Sequence, residues 1–336
     1  MSDDVGRTTL HPDAEAYLAR LRDRRRPPMA ALSVEAARRE SAAVDAEKNR
    51  PDVGEVFDLS IPGPDGSVPL RVYRPTDAVG DAGPGDADHA DDAGDADAAD
   101  ASRRGIVVYL HGGGFVLGGL EKMDAACRYL ASASERLVVS VDYRLAPEHP
   151  FPAAVRDSLA ATRWVADHAD SLGGDPERVA IAGDSAGGGL AAAVTLALRD
   201  FGGPALERQL LVYPVLEHAF DTPSYVENAT GYRLERADMR WFWDHYLPTD
   251  LHGKHPYASP LRARSVEGVP PASVLTCGFD VLRDEAVAYV DRLRDAGVAV
   301  EHHHDPDQIH GYAGLFLEPM QSHAERALSA LAADLS

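Results

Sequence analysis

The spacing of apolar positions passes through three regimes along the chain. Residues 11 to 50 carry two helical patterns, HPDAEAYLARLRD and SVEAARRESAAVDAEKN, split by Arg25-Arg26-Pro27-Pro28. After Pro51 the period drops to two: GEVFDLSIP and VPLRVYRP alternate around Gly63-Pro64-Asp65-Gly66, which predicts a hairpin. From Arg104 onward, short apolar runs (GIVVYLHG, RLVVSVDY, RVAIAGD, RQLLVYP, ASVLTCGFD and VAVEHHH) are joined by helical runs such as EKMDAACRYLASAS, AAVRDSLAATRWVADHAD, AGGGLAAAVTLALRD and DEAVAYVDRLRDAG. Strands apolar on both faces and linked by helical crossovers form a parallel sheet covered on both sides. Together with the hairpin this predicts an α/β fold of eight mostly parallel strands.

Two stretches break the alternation. Residues 217–251 are rich in aromatics, including Phe220, Tyr225, Trp241, Phe242, Trp243 and Tyr246, and are expected to join the N-terminal helices, residues 1–50, in a cap. Residues 77–101 consist almost wholly of Asp, Ala and Gly, with nine aspartates and no Lys or Arg. Such a composition cannot bury enough apolar surface to offset its conformational entropy, so a solvated mobile loop is expected. Its spacing lacks the order of ligands and glycine of a calcium-binding EF-hand. The remainder, residues 51–336, reads as one catalytic domain; 336 residues at 45% hydrophobic content suffice for one large core.

Charge narrows the partners. A formal net charge of −21 argues against nucleic acid or an anionic membrane, because phosphate binding needs clustered cations. Lysine occurs only at 48, 122 and 254. Carboxylates in such excess repel one another in dilute buffer and are screened at high salt, which points to a salt-adapted protein. No run approaches the roughly 18 apolar residues of a membrane span, and the first residues lack a secretory pattern. Arg24-Arg25-Arg26 is followed by Pro27-Pro28 where an export signal would be apolar, so a cytoplasmic location is expected. Cys127 and Cys277 make no disulfide framework, and neither sits in a zinc-ligand spacing.

Gly183-Asp184-Ser185-Ala186-Gly187 lies between a strand and an Ala/Leu-rich helix, where flanking glycines let the chain turn sharply and expose the serine at the strand end. Upstream, His111-Gly112-Gly113-Gly114 ends another strand; a loop stripped of side chains lets backbone N–H groups face a developing oxyanion. A serine nucleophile needs a base and an orienting acid. His310 follows the last strand, at the sheet edge that carries Ser185. His302, His303 and His304 belong to the strand itself and alternate between its faces, so they do not converge on a metal. Asp280 ends a strand, whereas Asp284 and Glu285 open the next helix and fit a capping role. Ser185, Asp280 and His310 therefore stand in the serine–acid–histidine order of α/β hydrolases. Asp142 and Glu148 are read as braces of the turn after their strand.

Five segments in order, His111-Gly112-Gly113-Gly114, the run from Asp142 to Ala154, Gly183 to Gly188, Asp280 to Glu285 and His310-Gly311-Tyr312, closely resemble the bacterial and archaeal hormone-sensitive-lipase-like esterases. The resemblance covers the chain from about Glu55 to its end. It implies the α/β-hydrolase fold, carboxylesterase activity on small-molecule esters and no cofactor. It also implies that Gly113, Gly114 and Ala186 supply the oxyanion N–H groups, and that the cap elements form a lid. Val281 and Tyr312 stand where that family usually has Pro and Phe, and the acidic stretch is longer than its usual link. A same-fold amidase or arylformamidase would share every motif; a non-catalytic receptor of this fold would lack the histidine that His310 supplies. Monomer and homodimer are both compatible with the sequence.

Overall fold

The computed structural model describes residues 5–24, 27–76 and 103–336. The acidic stretch, residues 77–101, lies outside them. Helices α1 (Pro12–Asp23) and α2 (Val34–Asp45) lead into the hairpin β1 (Glu55–Gly63) and β2 (Gly66–Arg74), whose register closes at Gly63 opposite Gly66. There follow β3 (Arg104–Leu110), α3 (Asp124–Ser134), β4 (Leu137–Val141), α4 (Ala153–Asp167), β5 (Gly174–Asp184), α5 (Ala186–Phe201) and β6 (Gln209–Val212). The chain ends with α6 (Pro223–Glu227), α7 (Arg236–Tyr246), β7 (Ala272–Phe279), α8 (Arg283–Asp295), β8 (Val300–Ile309) and α9 (Gln321–Ala333).

The eight strands form one sheet in the order β1-β2-β4-β3-β5-β6-β7-β8, antiparallel at β1, β2 and β4 and parallel from β4 to β8. Alternation along the strands divides the core. Ile106, Val108 and Leu110 face α4, α5 and α8, while Val107 and Tyr109 face α3 and α9. Both faces are covered, which is why these strands read as unbroken apolar runs. This is the α/β architecture of eight mostly parallel strands expected from the pattern.

Two elements differ from the expectation. β8 continues past His304 through Asp305-Pro306 to Ile309. It is the edge strand, where a proline costs no ladder bond, and residues from the N-terminal segment pair with it: Thr8 N–H donates to the Pro306 carbonyl at 3.1 Å and His11 N–H to that of Asp307 at 2.9 Å. The terminal helix α9 has the right period in QSHAERALSALAA, but no strand follows it, so strand–helix alternation alone does not pick it out.

The N-terminal helices are set by local signals and docked by long-range ones. Ser33 Oγ accepts from Ala36 N–H to start α2. Arg38 then donates to the carbonyls of Val116 and Ala146 and grips both oxygens of Glu148 at 2.7 Å, holding Glu148 down to about pKa 2. Glu148 thus braces its turn, as read from the sequence, with its partner on α2.

Candidate active site

β3 and β5 are neighbours, with Leu110 opposite Gly183, so the turns after them emerge side by side. Ser185 follows β5 at φ 55°, ψ −119°, a left-handed conformation a non-glycine residue enters only when its surroundings enforce it. Its own N–H donates to the Val212 carbonyl, and its carbonyl accepts from Gly189 and Val215. At Gly187 an added Cβ would lie 1.9 Å from the Leu110 carbonyl oxygen, so α5 can seat against β3 only with glycine there.

Ser185, His310 and Asp280 come together. The Ser185 hydroxyl stands 2.9 Å from His310 Nε2, and His310 Nδ1 stands 2.8 Å from Asp280 Oδ2. A carboxylate only accepts, so Nδ1 carries the proton and Nε2 is left free to take one. Asp280 is 1% exposed and its other oxygen accepts from Leu282 N–H at 2.9 Å. Asn228 on the inserted region donates to the carbonyls of Gly278 and Asp280, and the Tyr213 ring lies 4.6 Å from the imidazole.

The glycine loop sits beside the serine. Gly114 has φ 61°, and a Cβ there would meet the Phe242 ring at 2.1 Å. The N–H groups of Gly113, Gly114 and Ala186 donate to no acceptor among the described residues. His111 is buried, which pulls its pKa down to about 4; its ring bonds the Gly112 carbonyl at 2.8 Å and stacks on Tyr143.

Asp184 was not singled out in the sequence. Its carboxylate accepts from Gly112 N–H at 2.7 Å and from Tyr109 OH at 3.2 Å, tying the glycine loop to the serine turn. Burial raises its pKa, opposed by Lys122 and by the Gly112 N–H. The signal was an acidic residue directly before the serine; its partner lies 72 residues away. Asp284 and Glu285 need a correction. Instead of capping α8, they accept from the backbone N–H groups of Ser224 and Leu216, both at 2.7 Å, and so tether the inserted region.

A cavity of about 430 Å³ opens over Ser185 and His310. Leu18, Leu21, Met29, Leu32 and Val44 from the N-terminal region give it an apolar wall, and Leu234 and Phe242 from the inserted region add to it. The aromatics of that region are divided in role: Phe242 reaches the cavity, whereas Trp243 and Tyr246 are buried against Phe115, at 5.7 Å and 3.9 Å between ring centres.

Among the described residues one trio has metal-ligand spacing: His11, Asp13 and His323. His323 donates to Asp13 at 3.0 Å and His11 Nδ1 accepts from Asp13 N–H at 3.2 Å, which makes it the N-terminal cap of α1 against α9, away from the cavity. His302 and His304 both reach Thr276 Oγ1 at 2.9 Å, while His303 turns the other way to Asp334.

Sheet, serine turn and adjoining glycine loop together define a hydrolase of the α/β class. Residues 107–314 match the family model described as alpha/beta hydrolase fold, and the chain belongs to that family, in its hormone-sensitive-lipase-like branch. It is 40% identical over 285 residues to the esterase LipI of Mycobacterium tuberculosis, covering 84% of this chain and 82% of that protein. It is 35% identical over 305 residues to an ethyl acetate hydrolase of Pseudomonas putida, covering 87% and 88%. The crystal structure of a thermostable esterase from Pseudomonas putida superimposes with a TM-score of 0.86 at 34% identity, covering 98% and 99% of the two chains.

Proposed function

We propose that this carboxylic ester hydrolase cleaves short- to medium-chain esters through an acyl-enzyme on Ser185. The observation that carries the reading is the unbroken relay of 2.9 Å and 2.8 Å from Ser185 through His310 to Asp280. In the first half-reaction His310 takes the hydroxyl proton as Oγ bonds to the ester carbonyl carbon. The oxyanion is met by the N–H groups of Gly113, Gly114 and Ala186, and His310 returns the proton to the departing alcohol. Water repeats the sequence on the acyl-enzyme and frees the acid. Residues 1–50 and 217–251 act as the lid, supported by their shares of the cavity wall. A cavity of about 430 Å³ favours small acyl groups, in keeping with a relative named for ethyl acetate. The net charge of −21 supports work in a salt-rich cytoplasm.

Ser185→Ala is expected to keep the fold and lose at least about 10⁴-fold in kcat on p-nitrophenyl acetate. Phosphonate labelling of the wild type followed by peptide mapping should mark Ser185. A folded Ser185→Ala that retains substantial hydrolysis, or a label elsewhere, overturns the mechanism. Matched esters and anilides in the same assay separate esterase from amidase.

A further inference from the structure

Two of the three lysines, Lys48 and Lys122, line the cavity over Ser185. Lys48 is engaged: its ammonium lies 2.9 Å from Asp45 and donates to the Lys122 carbonyl at 2.6 Å. Burial lowers its pKa, with Asp45 opposing and the charges of Lys122 and Arg233 adding to the fall. Lys122 is different. Its ammonium has only the Ser41 hydroxyl, at 3.5 Å, and no carboxylate among the described residues.

Arg233, also in the cavity wall, gives one N–H to the His310 carbonyl at 2.8 Å and likewise has no carboxylate partner among the described residues. The cavity carboxylates, by contrast, are taken. Asp45 holds Lys48, Asp184 holds Gly112 and Tyr109, Glu235 accepts from Gly231 N–H, and Asp238 accepts from Glu235 N–H. Glu40 has a partner of its own. A chain of net charge −21 therefore keeps two cations without an ion-paired carboxylate in the wall of the cavity over Ser185, Lys122 acting on Asp184 only through its field. Partly desolvated cations are costly until an anion meets them, and an ammonium and a guanidinium lining one cavity suit a carboxylate.

We propose that the substrates are esters bearing a free carboxylate, held by Lys122 and Arg233 while Ser185 attacks the ester carbonyl. This rests on the acyl-transfer reading and names the substrate class for it. Arg233 also supports the His310 backbone, so Lys122 is the cleaner probe.

The test compares kcat/KM for monoethyl adipate against ethyl hexanoate, with the carboxylate on the acyl side, and for 4-acetoxybenzoate against phenyl acetate, with it on the alcohol side. In at least one pair the anionic ester should be preferred about tenfold, and Lys122→Gln should erase that ratio while Lys122→Arg keeps most of it. The pair that responds identifies the side that carries the charge. Neutral esters preferred in both pairs, or a ratio unmoved by Lys122→Gln, overturns the proposal while leaving Ser185 catalysis intact. Loss of all ester hydrolysis together with failure of phosphonate labelling in the wild type would instead bring down the acyl-transfer reading.

Discussion

Asp184 occupies the position before the serine, yet its carboxylate bonds to neither Ser185 nor His310 and holds the neighbouring loop by Gly112 N–H and Tyr109 OH. Both donors are buried, and removing their acceptor leaves each unpaired at about 1–3 kcal/mol. Asp184→Ala should therefore lower thermal stability and, by freeing the loop that presents Gly113 and Gly114, reduce kcat for p-nitrophenyl acetate about 10–100-fold with little change in KM. Asp184→Asn keeps an acceptor oxygen and should fall between. Steady-state kinetics with melting curves for the two variants checks this; an Asp184→Ala enzyme of wild-type kcat refutes it. Ser185 and Asp280 could be picked out because each follows an apolar strand, and His310 because it follows the last strand; the structure brings the three side chains together. The clamp was not legible, because its value depends on which strand lies next door, and sheet order is not written in the period of any single run.

At the scale of elements, α7 carries a carboxyl in an unusual state. Asp238 closes the capping box at the start of that helix and faces the cavity. Burial raises its pKa from 3.8 to about 6, partly offset by the Glu235 N–H. Because the folded protein holds this proton more tightly than the unfolded chain, its contribution to stability is full below pH 3.8 and is lost as pH rises through about 6. Relative to Asp238→Asn, which does not titrate, the wild type should lose up to about 3 kcal/mol between pH 4 and 6.5 and change little above. Urea unfolding of both proteins across that range measures the difference, and a flat difference refutes the assignment. Strands and most helices were legible from apolar spacing. Asp284 and Glu285 misled because position in a first turn suggests capping, whereas their partners, Ser224 and Leu216, lie 60 and 69 residues upstream in the chain.

At the scale of the molecule, the charge of −21 is spread far beyond any one pair, and its mutual repulsion acts through solvent. Raising KCl from 0.1 to 2 M should lift the thermal midpoint by at least about 5 °C, since screening shortens the reach of each charge to a few ångströms. Equal midpoints and activities at the two salt concentrations would remove salt adaptation from the account. The sheet itself sets a different kind of scale. Leu110 stands opposite Gly183, and the glycine loop and the serine turn leave from just beyond that pair. Their separation is a ruler made of backbone: adjacent strands about 4.8 Å apart, advancing about 3.3 Å per residue. A slip of one residue between β3 and β5 would move one turn past the other and flip every side chain along it to the opposite face. The spacing of Ser185 and the glycine loop is thus inherited from register, and the helices above can be exchanged for others without resetting it.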